Sequence, residues 1–227
     1  MDLEIRDRGT FSSALVRLEP GDEFVSESGA MFRASSNVDI DVTTRSRGKG
    51  GVMAGIKRML AKEKFFFSRY KVTDNRPGEV GLAPTHVGSV SRIDVDPSTG
   101  WLCAGGSYLG SAVQLQIDTE FQGMKGFLTG ESISFVKVTG SGPLLVSGFG
   151  RIVEYDLNGE MIVDTGHVVA FTDGLSYTIE KAGSSWFQSW LAGEGIVLKF
   201  SGTGKILVQS HNTSEFGRLL GPKLPQR

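Results

Sequence analysis

The chain has 227 residues, a formal net charge of -1 at pH 7, 31 glycines, 7 prolines and one cysteine. That length supports a sizeable core in one large domain or two small ones, and abundant glycine without matching proline excludes collagen and suits tight turns rather than disorder. The near-neutral balance gives no global pull toward nucleic acid or anionic lipid, so such binding has to come from a local patch. A lone Cys103 excludes an intramolecular disulfide and fits a reducing, cytoplasmic compartment.

The amino terminus carries Asp2, Glu4, Arg6, Asp7 and Arg8 where a signal peptide needs an apolar run. No stretch reaches the ~18 apolar residues of a spanning helix. A cytoplasmic protein is expected, with peripheral membrane association left open to a basic segment described below.

The first predicted strand alternates through Val16 and Leu18, turns at Gly21 and resumes at Phe24 and Val25. An amphipathic segment follows, with Ile56, Met59 and Leu60 at helical spacing. Next come a strand from Phe65 to Val72, a turn from Asp74 to Gly78, and a strand with Val80 and Leu82 alternating. The same order recurs. Ile93 and Val95 precede Gly100 and Trp101 to Ala104. Met124, Phe127 and Leu128 then lead to Gly130, Glu131 and a strand from Ser132 to Val138. It recurs again with Val153, Tyr155 and Leu157, then Gly159, then Met161 to Val163. Phe187, Trp190 and Leu191 precede Gly193, Glu194 and a strand from Ile196 to Phe200. Two copies close alike, with Gly140, Ser141, Gly142 before Leu144 to Val146 and with Gly202, Thr203, Gly204 before Ile206 to Val208. Apolar strands rather than helix starts follow these Gly-x-Gly turns, so they read as hairpin turns and not as phosphate cradles.

The expectation is a single all-β domain, a β-sandwich of three internal repeats at about 12–90, 91–149 and 150–212, with one short helix per repeat and a tail at 213–227. Units so small could hardly fold alone.

The Gly-Glu after an amphipathic segment, the Thr139-Gly140-Ser141-Gly142 and Ser201-Gly202-Thr203-Gly204 turns, and the run Gly78-Glu79-Val80-Gly81-Leu82-Ala83-Pro84 resemble the Altered Inheritance of Mitochondria twenty-four family. The resemblance extends from about Phe24 to Asn212. It implies a triplicated fold like that of the tryptophan RNA-binding attenuation protein, a short double-stranded β-helix. It supplies no catalytic residues and points to organising rather than catalytic proteins. The amino-terminal targeting extension of the mitochondrial members is not seen here.

No residue set receives a catalytic, cofactor-binding or metal-ligating role. Cys103 has Phe24 and Ile162 as its repeat equivalents, which marks a core position rather than a nucleophile. His86, His167 and His211 share no strand or helix at ligand spacing. Glu63, Glu131 and Glu194 occupy equivalent positions; they could converge on a cation, but local hydrogen bonding of each turn explains the repetition more simply.

The first copy is the longest between its turn glycine and this Glu, residues 21–63 against 100–131 and 159–194. The extra length is Gly-rich and basic: Arg45, Arg47, Lys49, Lys57, Arg58, Lys62 and Lys64. It forms a candidate patch for an anionic partner, alongside the plainer reading of a solvated helix packed on the sandwich. Trp186, Phe187 and Trp190 concentrate aromatic surface as a candidate interface. The tail from Glu215 onward is expected either to reach a neighbouring subunit or to fray.

These features suggest a non-enzymatic scaffold or binding protein. It is expected to be a homo-oligomer and to engage a protein or an anionic membrane surface. RNA binding is an alternative that the neutral charge disfavours, although Phe65, Phe66, Phe67, Arg69, Tyr70 and Lys71 mix rings with cations. A small-molecule-binding or enzymatic sandwich is a further alternative, with no ligand named.

Overall fold

The computed structural model describes residues 1–7, 9, 11–43, 67–118, 122–125, 132–181 and 196–225. Along the chain run β1 (Asp2–Arg6), β2 (Ser13–Leu18), β3 (Glu23–Glu27), β4 (Met31–Ala34), β5 (Val38–Thr43), β6 (Phe67–Val72), β7 (Gly78–Leu82), β8 (Gly88–Val95) and β9 (Trp101–Ala104). They are followed by β10 (Tyr108–Ala112), β11 (Gln116–Asp118), β12 (Gln122–Lys125), β13 (Ser132–Thr139), β14 (Gly142–Phe149), β15 (Ile152–Asp164), β16 (Val168–Thr172), β17 (Ser176–Lys181) and β18 (Ile196–Gln209), then helix α1 (Thr213–Leu220). The described protein is mostly β.

The strands form three antiparallel sheets, ordered β1-β2-β7-β4, then β5-β6-β3-β10-β14-β8, then β11-β13-β9-β16-β18-β15, with β12 added to β13 and β17 to β18. Alternation in the sequence becomes burial: Val16, Leu18, Val80 and Leu82 are fully enclosed between β2 and β7 and the layer beneath. Three apolar clusters fill the space between layers. One centres on Phe24, Tyr70, Leu109 and Leu145, one on Cys103, Val136, Val146 and Val169, and one on Phe135, Phe171, Leu198 and Phe200. In the last, Phe171 meets Phe135 and Phe200 edge-on at ring separations of 5.2 and 4.9 Å; each such ring contributes about 1.5–3 kcal/mol by leaving water.

The Gly-x-Gly segments are not hairpin turns. β13 pairs with β9 and β11 while β14 pairs with β8 and β10, so the chain at Gly140 and Gly142 steps from one sheet into another. Their φ angles of 108° and 147° lie where a side chain is disfavoured, and that left-handed backbone makes the corner. In the later segment there is no interruption: β18 runs through Gly202 and pairs with β15 along its whole length, Gly159 lying opposite Gly202.

Other expectations change as well. Met124, placed on a helix by its spacing, lies in β12, because β11 covers only Lys137–Thr139 of β13 and leaves the edge at Ser132–Ser134 open to a second short strand. The rest of the three expected helical segments lies outside the described residues. In the tail, Thr213–Leu220 forms a helix rather than fraying, because Asn212 Oδ1 accepts from the amides of Ser214 and Glu215 at 2.9 and 3.3 Å.

Candidate functional site: a polar cleft beside the C-terminal helix

Three short connections come together at one end of the layers. They join β3 to β4, β9 to β10 and, as a single 3-10 turn over Thr165–His167, β15 to β16; with the end of β3 they contribute Glu27, Gly105 to Ser107, and Thr165 with Gly166 to a cleft of about 560 Å³. Ser134, Phe135, Ser147 and Phe149 line its walls, and His86, Gln209, Thr213 and Ser214 also face it.

Backbone bonds set the walls. Ser147 N–H donates to Ser107 O at 2.8 Å and Gly105 N–H donates to Ser134 O at 3.0 Å, which fixes the β9–β10 turn against β13 and β14. Gln209, buried at the end of β18, bridges the other side: its Oε1 accepts from Phe149 N–H and its Nε2 donates to Gly166 O, both at 2.8 Å. The ring nitrogen Nδ1 of His167 lies 2.8 Å from Gln209 O. Asp164 Oδ1 accepts from Gly166 N–H and from Asn212 Nδ2, so the turn and the helix cap share one carboxylate.

Phe149 is the contact between cleft and helix. Its ring lies 5.3 Å from Phe216 of α1, 5.3 Å from His211 and 5.9 Å from His86. Beyond Phe216, α1 and the turn after it leave Leu219, Leu220 and Leu224 exposed, and none of the helix is buried.

Among the described residues, the chemistry of the cleft is that of one carboxylate among hydroxyls. Burial pushes the Glu27 carboxyl above its ordinary value, with no compensating hydrogen bond among the described residues. Such an arrangement suits a small polar ligand with a cationic or hydrogen-donating end. Among the described residues no three of His, Cys, Asp and Glu come together as metal ligands. Cys103 is fully buried and its thiol is pushed up to about 12 by desolvation, so it is inert in the native state. Tyr108 is likewise held above its ordinary value by burial, and its hydroxyl pairs with Ser111 at 2.8 Å.

The basic residues Arg45, Arg47, Lys49, Lys57, Arg58, Lys62 and Lys64, the aromatic group Trp186, Phe187 and Trp190, and the carboxylates Glu63, Glu131 and Glu194 all lie outside the described residues. Of the strand considered for base stacking, Phe67 and Tyr70 are enclosed, and Tyr70 hydroxyl pairs with Ser26 at 2.9 Å. The cleft residues escaped the sequence reading. A signal was available in the small-residue pairs Ser28-Gly29, Gly105-Gly106 and Thr165-Gly166, which follow β3, β9 and β15.

Comparison with known proteins places the chain. Residues 3–211 match the family model described as mitochondrial biogenesis AIM24. An uncharacterized protein of Streptococcus pyogenes serotype M6 is 30% identical over 215 residues, covering 92% of this chain and 86% of its own. An X-ray crystal structure of a Streptococcus pyogenes protein superposes with a TM-score of 0.79 at 28% identity, over 98% of this chain and 99% of that one. The chain belongs to the mitochondrial biogenesis AIM24 family.

Proposed function

We propose that this member of the AIM24 family is a non-enzymatic, oligomeric scaffold that engages a protein or membrane surface, built as three copies of one unit in a short double-stranded β-helix sandwich. The observation that carries the docking role is the C-terminal segment. Helix α1 is anchored by its Asn212 cap and by Phe216 on Phe149, yet it and the turn after it present Leu219, Leu220 and Leu224 to solvent at 65%, 40% and 57% exposure. A held helix with its apolar side uncovered is arranged for a second surface. Arg218 and Lys223 flank those leucines and favour an anionic one.

The test is co-flotation of the full chain with neutral and anionic vesicles, comparing the natural protein with a Leu219→Ser, Leu224→Ser variant. Salt-sensitive binding to anionic vesicles, reduced about tenfold in the variant, is the expected result. Binding that the substitutions leave unchanged would remove α1 from this reading. Absence of binding to any vesicle would confine it to protein partners.

A second reading, favoured by the cleft, is small-molecule binding around Glu27. Its volume is within the range of ligand sites. Native mass spectrometry of the purified protein would show an added mass that Glu27→Gln removes; bare polypeptide mass from freshly purified protein would count against it.

A further inference from the structure

The strands β4, β10 and β16 are built alike. Each pairs with a neighbour through a bulge, between Met31 and Arg33 on β7, between Tyr108 and Gly110 on β14, and between Val168 and Ala170 on β18. Their other edges differ. The free edge of β10 is taken by β3 and that of β16 by β9, whereas β4 ends its sheet with no further strand among the described residues.

At the other end of the order, the second half of β15 is the counterpart of β3 and β9. Glu23 of β3 stands opposite Lys71, Leu102 of β9 opposite Lys137, and Ile162 of β15 opposite Lys199. β3 and β9 each carry two neighbours, but β15 has only β18 among the described strands. Exposure follows pairing. Every residue of β10 and β16 is buried, whereas Phe32 in β4 is 58% exposed and Ile162 in β15 is 62% exposed.

These two edges also carry less of the protection that other edges have, with an unbroken apolar run in each. β1 carries Asp2, Glu4 and Arg6, β5 carries Asp39 and Asp41, and β8 carries Arg92 and Asp94. Such alternating charges discourage strand addition. β4 reads Met31, Phe32, Arg33, Ala34, and the open half of β15 holds Met161, Ile162 and Val163 in sequence. The charges present, Arg33 on one edge and Glu160 and Asp164 on the other, are opposite in sign.

We propose that the chain assembles head to tail with a second copy of itself, the β4 edge of one copy pairing antiparallel with the Glu160–Asp164 edge of β15 in the next. The junctions inside the chain are the template. The β9–β16 pairing, with Leu102 opposite Phe171, sets Ala34 opposite Ile162 of the neighbouring copy. The β3–β10 register is offset by two residues and sets Ala34 opposite Asp164 instead, with the same faces inward. Contact between two different surfaces is heterologous, so it closes as a ring or extends as a filament. This names the partner in the oligomeric reading above, and it is independent of docking by α1.

Mixed cysteine variants test it. Directly opposed strand residues come close enough for a disulfide, and buried Cys103 takes no part. Under mild oxidation, full-length Ala34→Cys mixed with Ile162→Cys or Asp164→Cys gives a cross-linked heterodimer, and neither partner alone gives the same yield. A chain with Ala34→Cys and Ile162→Cys together gives intermolecular dimers or higher rings. Light scattering of the natural protein shows an oligomer, which Ile162→Lys weakens at least about tenfold without lowering the melting temperature, the side chain being exposed. A monomer at every concentration would overturn the proposal, as would an intrachain disulfide in the double variant. Failure of both mixtures while the oligomer persists would place assembly elsewhere and overturn it equally.

Discussion

Replacing Gln209 by Leu removes a side chain that, among the described residues, joins both halves of the cleft wall. Two hydrogen bonds of 2.8 Å disappear, leaving Phe149 N–H and Gly166 O without their partner. An orphaned polar group costs about 1–3 kcal/mol. Both groups belong to residues that retain some solvent contact, so water replaces part of the loss and the sum comes to about 2–3 kcal/mol. For a domain of this size that is a fall of roughly 5–10 °C in melting temperature. Gln209→Glu preserves the acceptor for Phe149 but loses the donor to Gly166, and should fall between the natural protein and Gln209→Leu once carboxylate and carbonyl are kept apart by water. Urea unfolding followed by fluorescence gives the free energies. An effect of Gln209→Leu below about 0.5 kcal/mol would refute the view that this bridge holds the cleft.

Cys103 should remain unmodified by an aromatic disulfide reagent at pH 8 in the native protein and react fully in urea, because its thiol is enclosed and pushed up to about 12; rapid native labelling would contradict its burial. Burial raises the folded pKa of Glu27 above its unfolded value, so the folded state holds the proton more tightly and stability falls as pH rises from the unfolded pKa through the folded one. Glu27→Gln should therefore be the more stable protein at pH 7, with the advantage disappearing below about pH 4; a variant less stable at pH 7 would mean that the carboxylate has an unrecognised favourable contact. A Cβ on Gly88 would lie 1.7 Å from Gly148 O, where only backbone can yield, so Gly88→Ala should cost more than about 3 kcal/mol in the same urea assay. Gly174→Ala, with nothing within 4 Å, should be neutral; equal tolerance of both changes would refute that packing.

The strands were largely legible because half-buried strands write their alternation into the sequence. Val16 with Leu18 and Val80 with Leu82 read as inward-facing pairs and are enclosed. Connectivity was less legible, since Gly140, Ser141, Gly142 specifies a sharp change of direction without saying whether the next strand returns alongside the last. That choice depends on which sheets have an edge available, and β14 finds β8 and β10 rather than β13. The cleft was not legible at all as a site. Glu27, Ser107, Ser134, Thr165 and Gln209 are spread over most of the chain, and each alone is an ordinary polar residue at the end of a strand.

Ile162 shows where reading by equivalence fails and why the failure is informative. Placed beside Phe24 and Cys103 it belongs in a core, and those two are fully enclosed. The ladder with β18 instead sets Val163 inward at 8% exposure and turns Ile162 outward. In β9 the same face is covered: Leu102, opposite Phe171 of β16, lies with Phe135 and Phe200 in one apolar cluster at 4% exposure. The same position in β15 meets no strand among the described residues, so an apolar side chain suited to a covered position stands in water. Uncovering about two thirds of an isoleucine forgoes roughly 1–2 kcal/mol of burial. Phe32 repeats the mismatch on β4, and the two fall on the only strand edges that the internal junctions leave without their counterpart among the described residues. Sequence that specifies burial and structure that withholds it agree once a second copy supplies the missing strand.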